Sequence, residues 1–308
     1  MHQKSIEEAK KRLFRGELVI FPTETVYGIG GNANNRKSIE LIYKTKNRPI
    51  NNPLICHFAN MEEIEKNFIL KDKDYELANT FWPGPLTLIL EKKINSMISP
   101  LLSNNKNQVG CRIPNNKISL SLLSIIDFPI AAPSANIATR TSVTSIEDLD
   151  YKLKEIFYID GGSSVLGLES TVIKTTKNGC KILRLGSLTI EDIKLKFPKY
   201  EISIDQSDVS PGNQLKHYSP IKPIRINVNF VKKNETLLNF GINELTSDIK
   251  SLNLSIDENL SDASYNFYNY LNILDNISCN GIAVAPIPDQ GLGKTINDRL
   301  RRASYKDE

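Results

Sequence analysis

The stretch Leu18-Val19-Ile20-Phe21-Pro22-Thr23-Glu24-Thr25-Val26-Tyr27-Gly28 decides how this chain is read. Four apolar residues in a row, bounded by a proline, are too short for a helix and read as a buried strand. That strand runs directly into a loop carrying three small polar side chains. In open α/β sheets, ligands collect at the carboxyl ends of strands. Four segments occupy such places: Pro22 to Gly28, Arg112 to Pro114, Pro133 to Asn136 and Glu169 to Thr171. Short polar side chains at strand ends are also ordinary turn chemistry, so each segment alone says little. Together they outline a polar pocket.

Working outward, Ser5 and Glu8 have capping-box spacing, and Ile6, Ala9 and Leu13 share one helical face that Gly16 closes. The pattern predicts further helices at 37–46, 60–67, 72–80 and 117–126, with another beginning at Ser145. It predicts strands at 53–58, 86–90, 109–112, 129–132, 157–159, 171–174 and 181–185. Alternation at this pace is the signature of an α/β domain with a largely parallel or mixed sheet. The pattern breaks at 199–220, where Asp208 to Pro220 has no period and carries turn formers at both ends, the composition of a linker. Beyond it, Ile224–Phe230, a helix near 259–274, a strand at Gly281–Pro286 and a basic terminal helix predict a smaller α/β unit. The expected domains are therefore 1–200 and 221–308, joined by a linker at 201–220.

A length of 308 residues agrees with two domains at roughly 150 residues each. With 40% hydrophobic and 24% charged residues the composition is that of a globular protein. The net charge of +4 is spread along the chain with no concentrated basic stripe, so composition gives little support to a dedicated nucleic-acid binder. Cys56, Cys111, Cys180 and Cys279 form no C-x-x-C pair, which argues against zinc and for reduced buried thiols. The chain opens into an amphipathic helix without a signal-peptide pattern, and no apolar run reaches the roughly 18 residues of a membrane span. A cytoplasmic protein is expected.

Several residues invite a chemical reading. Gly291-Leu292-Gly293-Lys294-Thr295 ends like a phosphate-binding P-loop, but Pro288 stands where the first glycine belongs, so a turn leading into a helix is the better reading. Lys44, Lys46 and Arg48 cluster after a helix, and Arg112 and Arg184 follow other strands. Converging, they could neutralise a polyphosphate; apart, they are solvated charges at element ends. His57 follows an apolar run and, taken alone, reads as a hydrogen-bonded core histidine.

In order along the chain stand Phe21 to Gly28, Lys46-Asn47-Arg48-Pro49, Asn52-Pro53-Leu54, Pro133-Ser134-Ala135-Asn136 and Glu169-Ser170-Thr171-Val172. This series resembles the YrdC-like family. Ser210-Pro211-Gly212 with Lys216-His217-Tyr218-Ser219-Pro220, and the closing Asn297 to Ala303, resemble the linker and final helix of its two-domain members, the threonylcarbamoyl-AMP synthases. The resemblance implies a YrdC-like twisted mixed sheet with flanking helices, plus a smaller Rossmann-like α/β C-terminal domain. It implies condensation of L-threonine, bicarbonate and ATP to threonylcarbamoyl-AMP and pyrophosphate, which a separate transferase uses to modify tRNA. By matching positions, Thr25, His57, Arg112, Ser134, Ser170 and Thr171 would contact threonine. Arg48, Asn52, Gln108, Asn136, Thr144, Arg184 and Tyr218 would contact ATP, with Lys46 facing phosphate, Mg2+ accompanying the nucleotide and no protein-bound metal. Lys46, Arg48 and Arg112 would offset the repulsion between two anions as they react. Tyr218, carried by the linker, would fold over the pocket.

The sequence departs from the family pattern where Gly-x-Pro-Ser-Pro-Thr is usual and Thr139 to Thr144 stands here, and where Arg-Pro-Gly reads Arg184-Leu185-Gly186. The alternative from another class is a YrdC-like module that binds double-stranded RNA without synthase activity, or makes a weak RNA contact beside it. A carbamoyl-transfer subdomain of hydrogenase maturation would bring additional zinc-binding cysteines, and an inactive scaffold would not need four retained cations.

Overall fold

A computed structural model describes residues 2–205 and 218–305. In chain order the first unit contains α1 (His2–Phe14), β1 (Val19–Phe21), β2 (Gly28–Asn32), α2 (Arg36–Lys46), β3 (Ile55–His57), α3 (Met61–Asn67) and β4 (Phe68–Ile69). It continues with α4 (Asp72–Phe81), β5 (Leu86–Lys92), β6 (Gln108–Arg112), α5 (Lys117–Ser124), β7 (Ile130–Ala131), β8 (Thr171–Thr175), β9 (Gly179–Arg184), α6 (Ile190–Lys196) and β10 (Glu201–Ile204). The second unit contains β11 (Ile224–Arg225), β12 (Glu235–Asn239), β13 (Ser251–Asn253), α7 (Leu260–Asp275), β14 (Gly281–Val284) and α8 (Leu292–Ala303).

The first sheet runs β1-β2-β7-β3-β6-β5-β8-β9-β10, with β4 on β5. It is mixed: β3 with β6, β5 with β8 and β9 with β10 are parallel, and the other pairs are antiparallel. Helix α1 buries Ile6, Ala9 and Leu13, the face its spacing marks. The second sheet is wholly parallel, in the order β11-β14-β12-β13, with α7 and α8 packed on it and on each other.

Several expectations are corrected. Residues 157–159 form no strand of the sheet; instead Ile20 donates to the Phe157 carbonyl and Ile159 to the Ile20 carbonyl, which covers the edge of β1. The helix expected from Ser145 is one 3₁₀ turn, Ile146–Asp148. Strand β10 pairs with β9 from Glu201↔Gly179 onward, so the first sheet continues beyond residue 200. Strand β2 was not foreseen. Its sequence Gly-Ile-Gly-Gly-Asn has no side-chain alternation, and a Cβ on Gly30 would stand 2.5 Å from Ile130 and 2.7 Å from the Phe21 ring. The linker stretch from Ser210 to His217 lies outside the described residues.

The two units share a core. Val26 and Leu168 of the first pack in one apolar cluster with Tyr218, Leu238, Phe267, Tyr268 and Leu300. The Gly-Lys-Thr of α8 serves the same contact: Thr295 Oγ1 donates to the Gly186 carbonyl at 3.0 Å, and Lys294 Nζ lies 2.9 Å from Glu191. Those contacts agree with the helix-leading turn read from the sequence.

Candidate active site

Thr23 organises the loop after β1. Its hydroxyl accepts from the Thr25 and Val26 amides and donates to the Val26 carbonyl at 2.6 Å, a tight side-chain turn. Thr25 Oγ1 is thereby brought 2.9 Å from Nη1 of Arg112 at the end of β6. The Arg112 Nε donates to Gly84 O at 3.2 Å, and Nη2 lies 2.6 Å from buried Glu24. His57 on β3 is the register partner of Arg112. Burial, and then the Arg112 charge, push its imidazole down to about 3, so the ring is neutral at ordinary pH. Its Nδ1 is buried and has no hydrogen-bond partner among the described residues.

The opposite wall is built from the turn after α2. Asn47 caps that helix in the left-handed conformation, φ 52°, and turns the chain sharply. Arg48 then donates to Asn52 O at 3.0 Å, Asn52 Oδ1 at 2.5 Å and Pro53 O at 2.9 Å. Burial lowers its guanidinium to about 10, which leaves it charged. Lys46 sits behind this wall, buried, with Nζ donating to Ser134 O at 2.5 Å, to Asn136 O, and to Asn136 Oδ1 at 3.3 Å. Burial and then Arg48 hold its ammonium well below the usual lysine range. Lys46 therefore ties down the 134–136 loop.

At the third side, Arg184 at the end of β9 donates to Ser170 O at 2.8 Å and Ser170 Oγ at 3.1 Å, while Ser170 Oγ meets Thr87 Oγ1 at 2.8 Å. A cleft opens between these walls, lined by Thr25, Arg48, His57, Arg112, Ser134, Ser170, Arg184 and Tyr218. Eight of the residues singled out in the sequence thus meet at one place. Asn52 and Asn136 stand one layer behind, holding Arg48 and Ser134. Thr171 faces away and donates to Leu188 O at 2.6 Å, and Thr144 is turned to Asp148 at 3.4 Å. Gln108 accepts from Lys174 Nζ at 3.0 Å and lines a neighbouring cavity that shares Pro53 with the cleft.

Glu169 opens the Glu169 to Val172 motif, and the resemblance assigns it no role. It lines the cleft, and its carboxylate accepts from Ser142 Oγ at 2.5 Å, Tyr268 OH at 2.7 Å and Arg299 Nε at 2.9 Å. Burial pushes this carboxyl up, but Arg299 and Arg184 outweigh it and bring it down to about 2. An acid between Leu168 and two hydroxyl residues is its only signal; Tyr268 and Arg299 come from helices about 100 residues or more away.

Residues 11–186 match the Sua5_yciO_yrdC family, described as "Telomere recombination", and residues 188–304 match Sua5_C, described as "Threonylcarbamoyl-AMP synthase, C-terminal domain". The threonylcarbamoyl-AMP synthase of Pyrococcus abyssi is 33% identical over 332 residues, covering 97% of this chain and 95% of its own. The chain belongs to the threonylcarbamoyl-AMP synthase family. The threonylcarbamoyl-AMP synthase of Bacillus subtilis is also 33% identical, over 97% of this chain and 92% of its own. In three dimensions, P. abyssi Sua5 complexed with L-threonine matches with a TM-score of 0.86 at 30% identity, over 99% of this chain and 95% of its own. Escherichia coli YciO shares the fold of the first unit, with a TM-score of 0.54 at 21% identity over 60% of this chain.

Proposed function

We propose that this chain is a threonylcarbamoyl-AMP synthase, condensing L-threonine, bicarbonate and ATP to threonylcarbamoyl-AMP and pyrophosphate. The observation that carries the reading is the convergence of Arg48, Arg112 and Arg184 on one cleft beside a neutral histidine. The threonine amine and bicarbonate give a carbamate and water. A carbamate oxygen then forms a bond to the α-phosphorus of ATP as the bond to the bridging oxygen breaks and pyrophosphate leaves. The attacking group is already an anion, so the protein need not supply a strong base. It must hold two anions together, and fixed cations in a dry cleft do that.

Threonine is assigned to the side formed by Thr25, His57, Arg112, Ser134 and Ser170. Arg112 supplies charge for the carboxylate, and the unpartnered Nδ1 of His57 offers an acceptor to the amine or hydroxyl. That the P. abyssi protein forms a complex with L-threonine supports threonine as a substrate. ATP is assigned to Lys46, Arg48, Arg184 and Tyr218, with Asn52 and Asn136 fixing Arg48 and Ser134 and the nucleotide extending toward Gln108 past Pro53. Thr171 and Thr144 would then act from behind the cleft. Among the described residues no three His, Cys, Asp or Glu side chains gather as a metal site, so Mg2+ would enter on the polyphosphate. A tRNA threonylcarbamoyl transferase would consume the product in the cytoplasm; no described helix is long and apolar enough to cross a membrane.

The test is pyrophosphate release from ATP with threonine and bicarbonate omitted in turn. Release that requires both is expected, and release indifferent to either overturns the proposal.

A further inference from the structure

We propose that Arg299, on helix α8 of the second unit, is a positioning residue for the reaction: it fixes Glu169 and Tyr218 together and so sets the nucleotide side of the cleft. The inference rests on the synthase reading above. Arg299 is fully buried, and its planar fork is used on every side. Nε donates to Glu169 Oε2 at 2.9 Å, Nη2 to Leu185 O at 2.6 Å, and Nη1 to Asp298 Oδ2 at 2.5 Å. Its face lies 4.5 Å from the centroid of the Tyr218 ring.

These contacts fall on the chain next to three residues that line the cleft. Glu169 adjoins Ser170, Leu185 adjoins Arg184, and Tyr218 is itself a lining residue. Tyr218 is held at φ 60°, in the left-handed region that a bulky side chain enters only when its surroundings impose it. Arg299 beneath the ring, Tyr268 at 6.1 Å and the bond from Ser219 N to Thr139 O at 2.7 Å impose it here. One guanidinium therefore couples the linker aromatic to the loop that carries Ser170 and to the strand end that carries Arg184.

The arrangement is electrostatically sensitive. Glu169 is faced by Arg299 of α8, Tyr268 of α7, Arg184 of β9, Ser142 and Tyr218, and Asp298 acts on Arg299. Asp298 is itself paired with Arg302 at 3.1 Å, which leaves Arg299 as the main counter-charge on Glu169. Without that charge, burial drives the carboxyl toward its protonated form. A protonated Glu169 no longer holds the loop, so loss of Arg299 is read as a change in pH dependence as well as in turnover.

The experiment measures kcat/KM for ATP by pyrophosphate release from about pH 5 to about pH 9 in the full-length protein. With Glu169 held at about 2, the wild type should show no limb from this carboxyl in that window. In Arg299→Met an acid limb is expected to enter the window above about pH 5, and KM for ATP to rise by about tenfold. Arg299→Lys, which keeps the charge but not the fork, should remove that limb while KM stays raised. The double variant Glu169→Gln with Arg299→Met has no carboxyl left to titrate and should lose the limb. A residue that only glues the units would lower the whole profile without adding a limb. A folded Arg299→Met with the wild-type profile and KM overturns the proposal. Should that variant melt below the assay temperature, Arg299→Lys decides, and a KM for ATP equal to that of the wild type then overturns it. Wild-type protein that releases no pyrophosphate in response to threonine and bicarbonate would instead sink the synthase reading.

Discussion

His57 joins the two readings that its sequence left open. It is buried against Phe21, whose ring lies edge-on at 6.0 Å, as a core histidine would be, and it also lines the cleft. Its pKa is about 3 in the fold against roughly 6.5 in an unfolded chain. The folded value is depressed, so its contribution is fully present above the unfolded pKa and is lost as pH falls toward the folded one. Between about pH 7 and about pH 5 this one group should withdraw about 2 kcal/mol of stability. Urea melts at the two pH values should show that loss in the wild type and a smaller one in His57→Asn; equal losses would remove the argument. Spacing alone left the cationic residues open between a phosphate site and solvated element ends; the resemblance of the motifs that carry them is what singled them out. Lys46 shows the limit. Its type and position were plain, but the carbonyls that capture its ammonium belong to a loop about 90 residues downstream, and no local pattern reports them.

At the scale of elements, most strands with apolar side chains and helices with caps are legible close to their observed bounds, α6 with its Thr189 cap and β12 excepted. The helix at 37–46 is α2, capped by Asn35, whose side chain accepts from two amides of the first turn. Structure carried by backbone contacts escapes as well. Strand β2 has almost no side chains to alternate, and β10 is an edge strand whose pairing is set by its neighbour. The loop from Thr139 to Thr144 departs from the family's Gly-x-Pro in sequence but keeps a glycine-like backbone, since Thr139 has φ 70°. A β-branched residue is strained there. Thr139→Gly should stabilise the protein by about 1 kcal/mol and raise Tm by about 2 °C, seen by thermal melting at constant activity. A lowered Tm would mean that the threonine side chain contributes more than its backbone costs.

For the whole molecule, the division into two α/β units was legible from the break in periodicity, but their dependence on one another was not. Turn formers between 208 and 220 read as a loose connection. In the structure Gly167 packs against α7 so closely that a Cβ would meet the Ser264 carbonyl at 2.1 Å. Thr141 donates to Asn272 at 2.5 Å, and the Glu169–Arg299 pair crosses between the units out of contact with water. Separating the units would strand a buried carboxylate opposite a buried guanidinium, each costly to leave alone. The halves should consequently lack independent melting behaviour. Scanning calorimetry of the full chain is expected to trace a single heat-absorption peak whose calorimetric and van't Hoff enthalpies agree, where two autonomous folding units would give two.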